Sequence, residues 1–299
     1  MTFRTIRLMS AFSAAFLLSV ILCPITARGE IKNRVTIGFD SFIDRFTILD
    51  VDTAESVQEY YVGLGNELRF KRDRASGGLG HLFRIGNQTI DEHIDGELSL
   101  LPVPSTRIDI RSFFNYKHFQ ESSDYTFGND YIQSNTLLKI RRKLGETSKL
   151  TLRSRFEGVD YERQNNFDYN YYYYDAGLEF ETGSLLSRML RIGGFAGHRT
   201  APDTTEMNYE RMAGEVELQF MVGEGGLLHI YSIGDRRDYR GTVRSSYWLV
   251  FSQAEFTTTS LSGRSFSAKF ESEYTTYDDP TLIFFDSHFI RGSAGIKMP

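Results

Sequence analysis

The chain has 299 residues, with 34 lysines and arginines, 39 aspartates and glutamates, and one cysteine. A net charge of −5 leaves no basic surplus for nucleic acid, so no nucleic-acid partner is expected. A single cysteine excludes a disulfide framework, so stability must come from burial and strand pairing.

The first 27 residues have the pattern of a secretory signal peptide. Arg4 and Arg7 precede an apolar stretch at 11–21, and small residues up to Ala27 provide a cleavage site. The stretch is shorter than the roughly 20 residues of a spanning helix, although an uncleaved anchor is the alternative reading. We therefore expect export and a mature chain that begins near Arg28 with a net charge of −7, since Arg4 and Arg7 are lost.

From about residue 35 onward, polar and apolar residues alternate in one segment after another. The segment 149–157, KLTLRSRFE, shows the pattern most plainly. A period of two predicts a β-strand with one polar and one apolar face. The predicted strands lie at 35–48, 57–72, 77–87, 90–101, 106–119, 131–143, 148–161, 168–182, 187–199, 206–222, 226–239, 244–258, 262–277 and 282–297.

The links between the predicted strands differ in length according to whether the preceding strand is even-numbered or odd-numbered. Links after the later even-numbered strands are tight, as at 183–184, whereas most links after odd-numbered strands are long and polar, as at 120–130. Outer-membrane barrels have short periplasmic turns and longer external loops. Prolines beyond the signal fall in predicted turns or at the terminus, because proline cannot donate a ladder hydrogen bond.

These patterns predict an all-β fold, namely a single transmembrane antiparallel β-barrel of about 14 strands over residues 28–299, with 12–16 strands possible. A secreted β-sandwich or a soluble barrel is the alternative. The predicted strands are longer than the five or six residues usual in soluble sheets, which argues against it.

With these strands the chain resembles Gram-negative outer-membrane β-barrel proteins as a class, over nearly all of its mature length. The resemblance implies an outer-membrane location, membrane lipids and the barrel insertion machinery as partners, and porin-like passage of small polar solutes. Proteins of this class usually end in an aromatic residue, whereas this sequence ends Lys297-Met298-Pro299. Three alternatives would explain this difference. Phe289 marks a displaced insertion signal, the last strand lies elsewhere, or the sequence is a truncated portion of a larger barrel.

Strand parity also sorts the charged side chains onto a predicted lumen face. The predicted basic wall is Arg107, Arg111, Lys139, Arg141, Lys149, Arg153 and Arg155. The predicted acidic wall is Glu179, Glu181, Glu215, Glu217, Glu271 and Glu273. In a closed ring of fourteen, the sixth strand stands opposite the thirteenth, so the walls would face each other across a water-filled pore and select solutes by charge.

A salt-bridged lumen is the alternative. Neighbouring strands seven and eight could pair Arg153 and Arg155 with Glu179 and Glu181, which predicts a closed structural or surface-binding barrel.

The tyrosine cluster at the start of the eighth predicted strand is interpreted as part of an aromatic girdle at the membrane interface. Its members are Tyr169, Tyr171, Tyr172, Tyr173 and Tyr174. A platform on which sugars stack is the functional alternative.

Enzyme signals are weak. Asp286 and His288, with the preceding loop at 278–279, loosely resemble the rim residues of omptin-type proteases and define a second alternative, a rim-located hydrolase. The loop is also ordinary turn chemistry. The other histidines lack metal-ligand spacing or a matching nucleophile. We therefore expect a protein that is not an enzyme and that has no cofactor and no metal.

Overall fold

The computed structural model describes residues 28–48, 51–120, 129–163, 168–184, 188–223, 225–241, 244–259, 265–281 and 283–297. The predicted signal peptide, residues 298–299 and most of the 120–130 loop lie outside these residues. Within them, no helix is long and apolar enough to cross a membrane.

Fourteen strands build one antiparallel sheet, which confirms the predicted all-β fold and strand number. The strands are β1 (Arg28–Ile48), β2 (Val51–Arg72), β3 (Ala75–Gly86), β4 (Thr89–Val103), β5 (Thr106–Phe119), β6 (Tyr131–Lys143), β7 (Ser148–Tyr161), β8 (Tyr171–Ser184), β9 (Arg188–Thr200), β10 (Tyr209–Val222), β11 (Gly226–Tyr239), β12 (Tyr247–Thr259), β13 (Ser265–Tyr277) and β14 (Ser287–Lys297). They are hydrogen-bonded in chain order from β1 to β14. Closure of this sheet into a ring stays a prediction.

The bounds of β5, β6, β7 and β11 are as predicted, and the differences elsewhere have local causes. The strand β12 begins late because the Ser246 hydroxyl accepts a hydrogen bond from the Tyr239 amide at 2.9 Å. The strand β14 begins late because Asp286 accepts one from the Tyr277 amide at 2.8 Å. Such side-chain acceptors replace ladder partners. Pro102, predicted in a turn, instead lies one residue from the end of β4, where it is exposed.

The tight links depend on glycine where the backbone is left-handed. Gly183 at the end of β8 has φ +102°, and Gly223 after β10 has φ +65°. Residues other than glycine adopt such φ values at an energetic cost. Glycine at these two positions therefore fits the short turns predicted after the eighth and tenth strands.

The chain falls into two compact units. Unit 1 comprises the described residues of Met1–Pro102, Ile108–Leu138 and Phe156–Tyr172. Unit 2 comprises those of Val103–Arg107, Lys139–Arg155 and Tyr173–Pro299.

Burial in unit 2 is reversed relative to a water-soluble sheet. Along β10, Met212 is 61% exposed and Val216 is also exposed, whereas Glu215 between them is only 9% exposed. The same alternation continues on the paired strands, where Ile192 and Val250 are exposed and Asp235 is buried. We call the side of β8–β13 that carries Glu215 and Asp235 the polar face of unit 2, and the side that carries Met212 and Val216 its apolar face.

Unit 1 shows the same reversal. Ile37, Val62 and Ile85 stand opposite one another in the register of β1, β2 and β3. All three are exposed, Ile37 by 81%. We call the side of β1–β4 that carries these residues the apolar face of unit 1. Large apolar side chains are normally the most buried in soluble proteins, so both units present an unusual surface.

Candidate functional site

Buried charges on the polar face of unit 2 form the most elaborate polar cluster of the described residues. Asp175 on β8 is 1% exposed. Its Oδ2 accepts hydrogen bonds from Nη2 of Arg155 at 2.9 Å and from the hydroxyl of Tyr173 at 3.0 Å. An unpaired carboxylate at such burial would be very costly, so these donors offset the cost of burying Asp175.

Arg211 on β10 extends the cluster to the next strands. Its Nη1 donates to the Tyr173 hydroxyl at 3.1 Å and lies 3.9 Å from Asp175. Its Nε and Nη2 both reach Oδ2 of Asp235 on β11, at 2.8 and 2.7 Å. One guanidinium therefore joins two buried aspartates that are far apart in the sequence.

Arg237 on β11 completes the cluster. Its Nε lies 3.9 Å from Oδ1 of Asp235. Its guanidinium also lies over the rings of Tyr209 and Tyr247, at 5.5 and 5.6 Å from their centroids. Cations at this distance are attracted by the ring quadrupole. We call Arg155, Tyr173, Asp175, Arg211, Asp235 and Arg237 together the arginine network.

Small residues on β8 and β9 make room for the arginine network. Gly197 stands opposite Arg211 in the β9–β10 register. A Cβ at Gly197 would lie 3.0 Å from the Tyr173 hydroxyl and 2.9 Å from the backbone oxygen of Tyr174. Glycine at 197 therefore lets Tyr173 on β8 reach past β9 to Arg211 on β10. Gly177 similarly leaves room for the ring of Phe195.

We expect Gly197→Ala to lower the free energy of unfolding by about 1–3 kcal/mol, because the added methyl overpacks the network. Gly194→Ala on the same strand is the matched control, because a Cβ there meets no atom within 4 Å. Chemical denaturation of the folded protein measures both. Equal stabilities of the two variants would show that Gly197 does not govern packing of the network.

A row of aromatic rings borders the arginine network. The ring centroids of Tyr209 and Tyr239 are 5.3 Å apart, and those of Tyr247 and Tyr277 are 5.4 Å apart. Tyr239 and Tyr247 join the two pairs at 6.4 Å. Tilted rings at these separations attract one another beyond the area they bury. The row thus fixes the ends of β10–β13 next to Arg237.

Next to this row lies a cleft of about 700 Å³, lined by Tyr239, Arg244, Asp278, Phe284 and their neighbours. In the loop after β13, Asp278 accepts two hydrogen bonds from Arg236, at 2.7 and 2.5 Å. These bonds hold the pKa of Asp278 below its ordinary value. The carboxylate is therefore charged at neutral pH and anchors the loop to β11.

The arginine network can attract anions. It contains three arginines and two aspartates, so its formal charge is +1. Charge in a partly desolvated site acts over a longer range than charge at an open surface.

Most predicted wall residues of unit 2 form ion pairs with residues close by. Lys149 lies 2.7 Å from Glu181, and Arg153 lies 3.5 Å from Glu179. Glu179 and Glu181 lie on β8, next to β7. These contacts favour the alternative of local pairing, although Arg155 binds Asp175 and not a glutamate. Whether the two walls also face each other across a lumen stays a prediction.

The predicted acidic wall is interspersed with basic side chains, because Arg191 and Lys269 lie among its glutamates. Arg191 on β9 lies 3.7 Å from Glu215 and 2.5 Å from Glu217. Lys269 lies 2.7 Å from Glu271. The polar face of unit 2 on β8–β13 therefore carries both positive and negative side chains and is not uniformly acidic.

The remaining predicted wall residues range from exposed to partly buried. In unit 1, Nε of Arg111 lies 4.0 Å from Glu97. In unit 2, Arg107 and Glu273 are exposed, and Lys139 and Arg141 are partly buried. Parity places these residues correctly on strands, and their membership of a lumen wall stays a prediction.

The predicted girdle tyrosines differ in their surroundings. In unit 1, the hydroxyl of Tyr171 donates to Glu157 at 2.6 Å, and the ring of Tyr169 lies 6.1 Å from that of Tyr171. In unit 2, Tyr173 is buried in the arginine network, and Tyr174 is exposed. Tyr171 and Tyr173 thus donate hydrogen bonds to carboxylates, and the girdle stays a prediction for all five tyrosines.

Asp286 and His288 do not contact each other in a catalytic arrangement. The Asp286 carboxylate accepts a hydrogen bond from the Tyr277 amide. Nε2 of His288 lies 3.1 Å from the Ser272 hydroxyl. Among the described residues, no group of three or more His, Cys, Asp or Glu side chains could hold a metal ion.

Comparison with solved structures gives remote likenesses. No protein-family model and no curated protein matches the chain. A solved structure described as a bacterial polysaccharide outer membrane secretin is 9% identical, with a TM-score of 0.35, covering 79% of this chain and 90% of that one. Pseudomonas aeruginosa OccK5 (OpdH) is 8% identical, with a TM-score of 0.40, covering 90% of this chain and 98% of that one. At these similarities, neither likeness identifies the function, solute or partners of this chain.

Proposed function

We propose that the chain is a channel-forming β-barrel protein of the outer membrane of a Gram-negative bacterium, which passes small polar or charged solutes. The observation that carries this proposal is the reversed burial of both units. Exposed Met212 and Val216 alternate with buried Glu215 and Asp235. A sheet of this kind is stable when lipid covers its apolar face and water reaches its polar face.

The height of the apolar face supports the proposal. On β10 it extends from Met212 to Val222, with Glu210 just beyond its start. At the usual rise per residue this segment is about 33 Å long. A strand tilted by about 40° would then cover about 25 Å along the membrane normal, which is the height of the apolar band of outer-membrane barrels.

The predicted signal peptide agrees with this location, because outer-membrane proteins are exported before they insert. Membrane lipids and the barrel insertion machinery are accordingly proposed partners. Trp248 is exposed on the apolar face, and the centroid of its ring lies 5.6 Å from Cζ of Arg236. Its position supports an interfacial location for this end of β12, because tryptophan is enriched at membrane interfaces.

A closed, salt-bridged barrel is the second candidate function. The arginine network favours it, because its side chains link β7, β8, β10 and β11 by direct contacts. Such a barrel would bind partners at its surface and conduct no ions. The two candidates differ in one measurable property, the conductance of the purified protein in a planar lipid bilayer.

We expect discrete conductance steps, and a reversal potential in a salt gradient that shifts toward cation preference in Arg237→Gln. The shift follows because the variant removes one positive charge from the polar face. Arg240→Gln is the matched control, because Arg240 pairs with Glu210 on exposed surface. Absence of conductance would overturn the channel and leave the closed barrel. Equal shifts in both variants would exclude the arginine network from the solute path.

A further inference from the structure

An acid–base pair lies within the apolar face of unit 1. Nε2 of His81 on β3 is 3.2 Å from Oε1 of Glu92 on β4. Their side chains are 36% and 39% exposed. The pair is therefore at the surface and not part of a buried polar cluster.

The register of the strands shows that this pair belongs to the apolar face. Phe83 stands opposite Leu64 and Glu92, and His81 stands opposite Asn66. Side chains two positions apart on a strand share a face, so His81, Phe83 and exposed Ile85 point the same way. Leu64 and Val35 in the Phe83 row are likewise exposed.

Apolar residues flank the pair on both sides along the strands. One row beyond Glu92 are Val62 and Ile85, and one row beyond His81 are Leu68 and Leu79. Between the rows of Val62 and Phe70, the described residues on this face of β2–β4 include no other titratable side chain. His81 and Glu92 thus lie well inside the apolar band and not at its border.

Lipid is an unfavourable neighbour for such a pair. Ionisable side chains at membrane depth normally face protein or water, because hydrocarbon cannot solvate them. This step rests on the proposed function, which places the apolar face of unit 1 in the membrane. A protein surface that supplies hydrogen-bonding groups would remove the cost.

We propose that Asn66, His81, Phe83 and Glu92 form an interface, the His81 patch, that binds the same patch of a second copy of this chain. The patch is self-complementary: it offers a ring nitrogen that can donate and a carboxylate that accepts. A two-fold axis brings each His81 to the Glu92 of the other copy. Exposed Leu64 and Val35 provide apolar contacts around that centre.

Cross-linking in lipid vesicles tests the position of the interface. The only native cysteine, Cys23, lies in the predicted signal peptide, so a single introduced cysteine is the reporter in the mature chain. Phe83→Cys is expected to form a covalent homodimer with a short bis-maleimide. Ile192→Cys, exposed on the apolar face of unit 2, is the matched control and is expected to remain monomeric. Equal yields from both variants would overturn the proposal, as would a cross-link from position 83 to a different protein.

A double variant tests the role of the charges. His81→Leu combined with Glu92→Leu is expected to weaken dimerisation at least tenfold in detergent, measured by mass from light scattering. His229→Leu is the control, because His229 contacts Glu217 at 2.8 Å on the polar face of unit 2. An unchanged dimer in the double variant, or a monomeric wild type, would overturn the proposal.

Insertion separates this proposal from the proposed function. Protease protection of the wild type in vesicles reports insertion independently of mass. A protein that inserts and stays monomeric contradicts the His81 patch alone. A protein that fails to insert contradicts both proposals, because the patch needs a membrane around it.

Discussion

Replacing Arg211 with methionine is expected to lower the free energy of unfolding by about 3–5 kcal/mol. The guanidinium binds Asp235 through two nitrogens and the Tyr173 hydroxyl through a third. Methionine keeps much of the apolar volume but donates no hydrogen bond. The variant therefore leaves Asp235 without its closest cation and weakens the support of Asp175. Urea denaturation of the protein in vesicles, followed by tryptophan fluorescence, measures the loss.

Arg240→Met is the matched control for this prediction. Arg240 pairs with Glu210, but both side chains are exposed, and exposed ion pairs contribute little to stability. Adding Asp235→Leu to Arg211→Met is expected to restore part of the stability, because the unpaired carboxylate is removed. A loss for Arg211→Met no larger than that for Arg240→Met would show that the arginine network does not stabilise the fold.

The strand pattern could be predicted from the sequence because burial and alternation are local properties. The period of two is plainest at 149–157 in β7, whose predicted bounds agree with the structure. It does not decide where side chains compete with the ladder. The Thr281 hydroxyl accepts from the Ile283 and Phe284 amides, which keeps this segment out of β14. Such bonds depend on loop geometry that periodicity does not contain.

The arginine network could be predicted only in part. Parity placed Arg155 on the polar side of its strand, but it left Arg211 and Asp235 unassigned. Tyr173 and Arg211 are 38 residues apart and lie on strands separated by β9. Their contact depends on the strand register and on the missing side chain at Gly197, opposite Arg211. A charged residue with a glycine opposite it on the neighbouring strand is a signal that becomes usable once the register is known.

The orientation of the sheet predicts a large effect for a charge on the apolar face. Val216→Arg is expected to lower the free energy of unfolding in lipid vesicles by about 2–4 kcal/mol. Val216 is exposed and lies near the middle of the apolar segment of β10, between Met212 and Val222. If lipid covers this face, the guanidinium must leave water on folding. Equilibrium unfolding with urea measures the change against the wild type.

Gln219→Arg on the same strand separates membrane placement from a general intolerance of arginine. Gln219 stands opposite His229 on the polar face, where Glu217 is a close neighbour. The same side chain there is expected to change stability by less than about 1 kcal/mol. In a water-soluble sheet the order would differ, because exposed positions such as Val216 tolerate substitution within about 0.5 kcal/mol. A neutral Val216→Arg variant would therefore contradict the membrane barrel directly, whatever the conductance measurement shows.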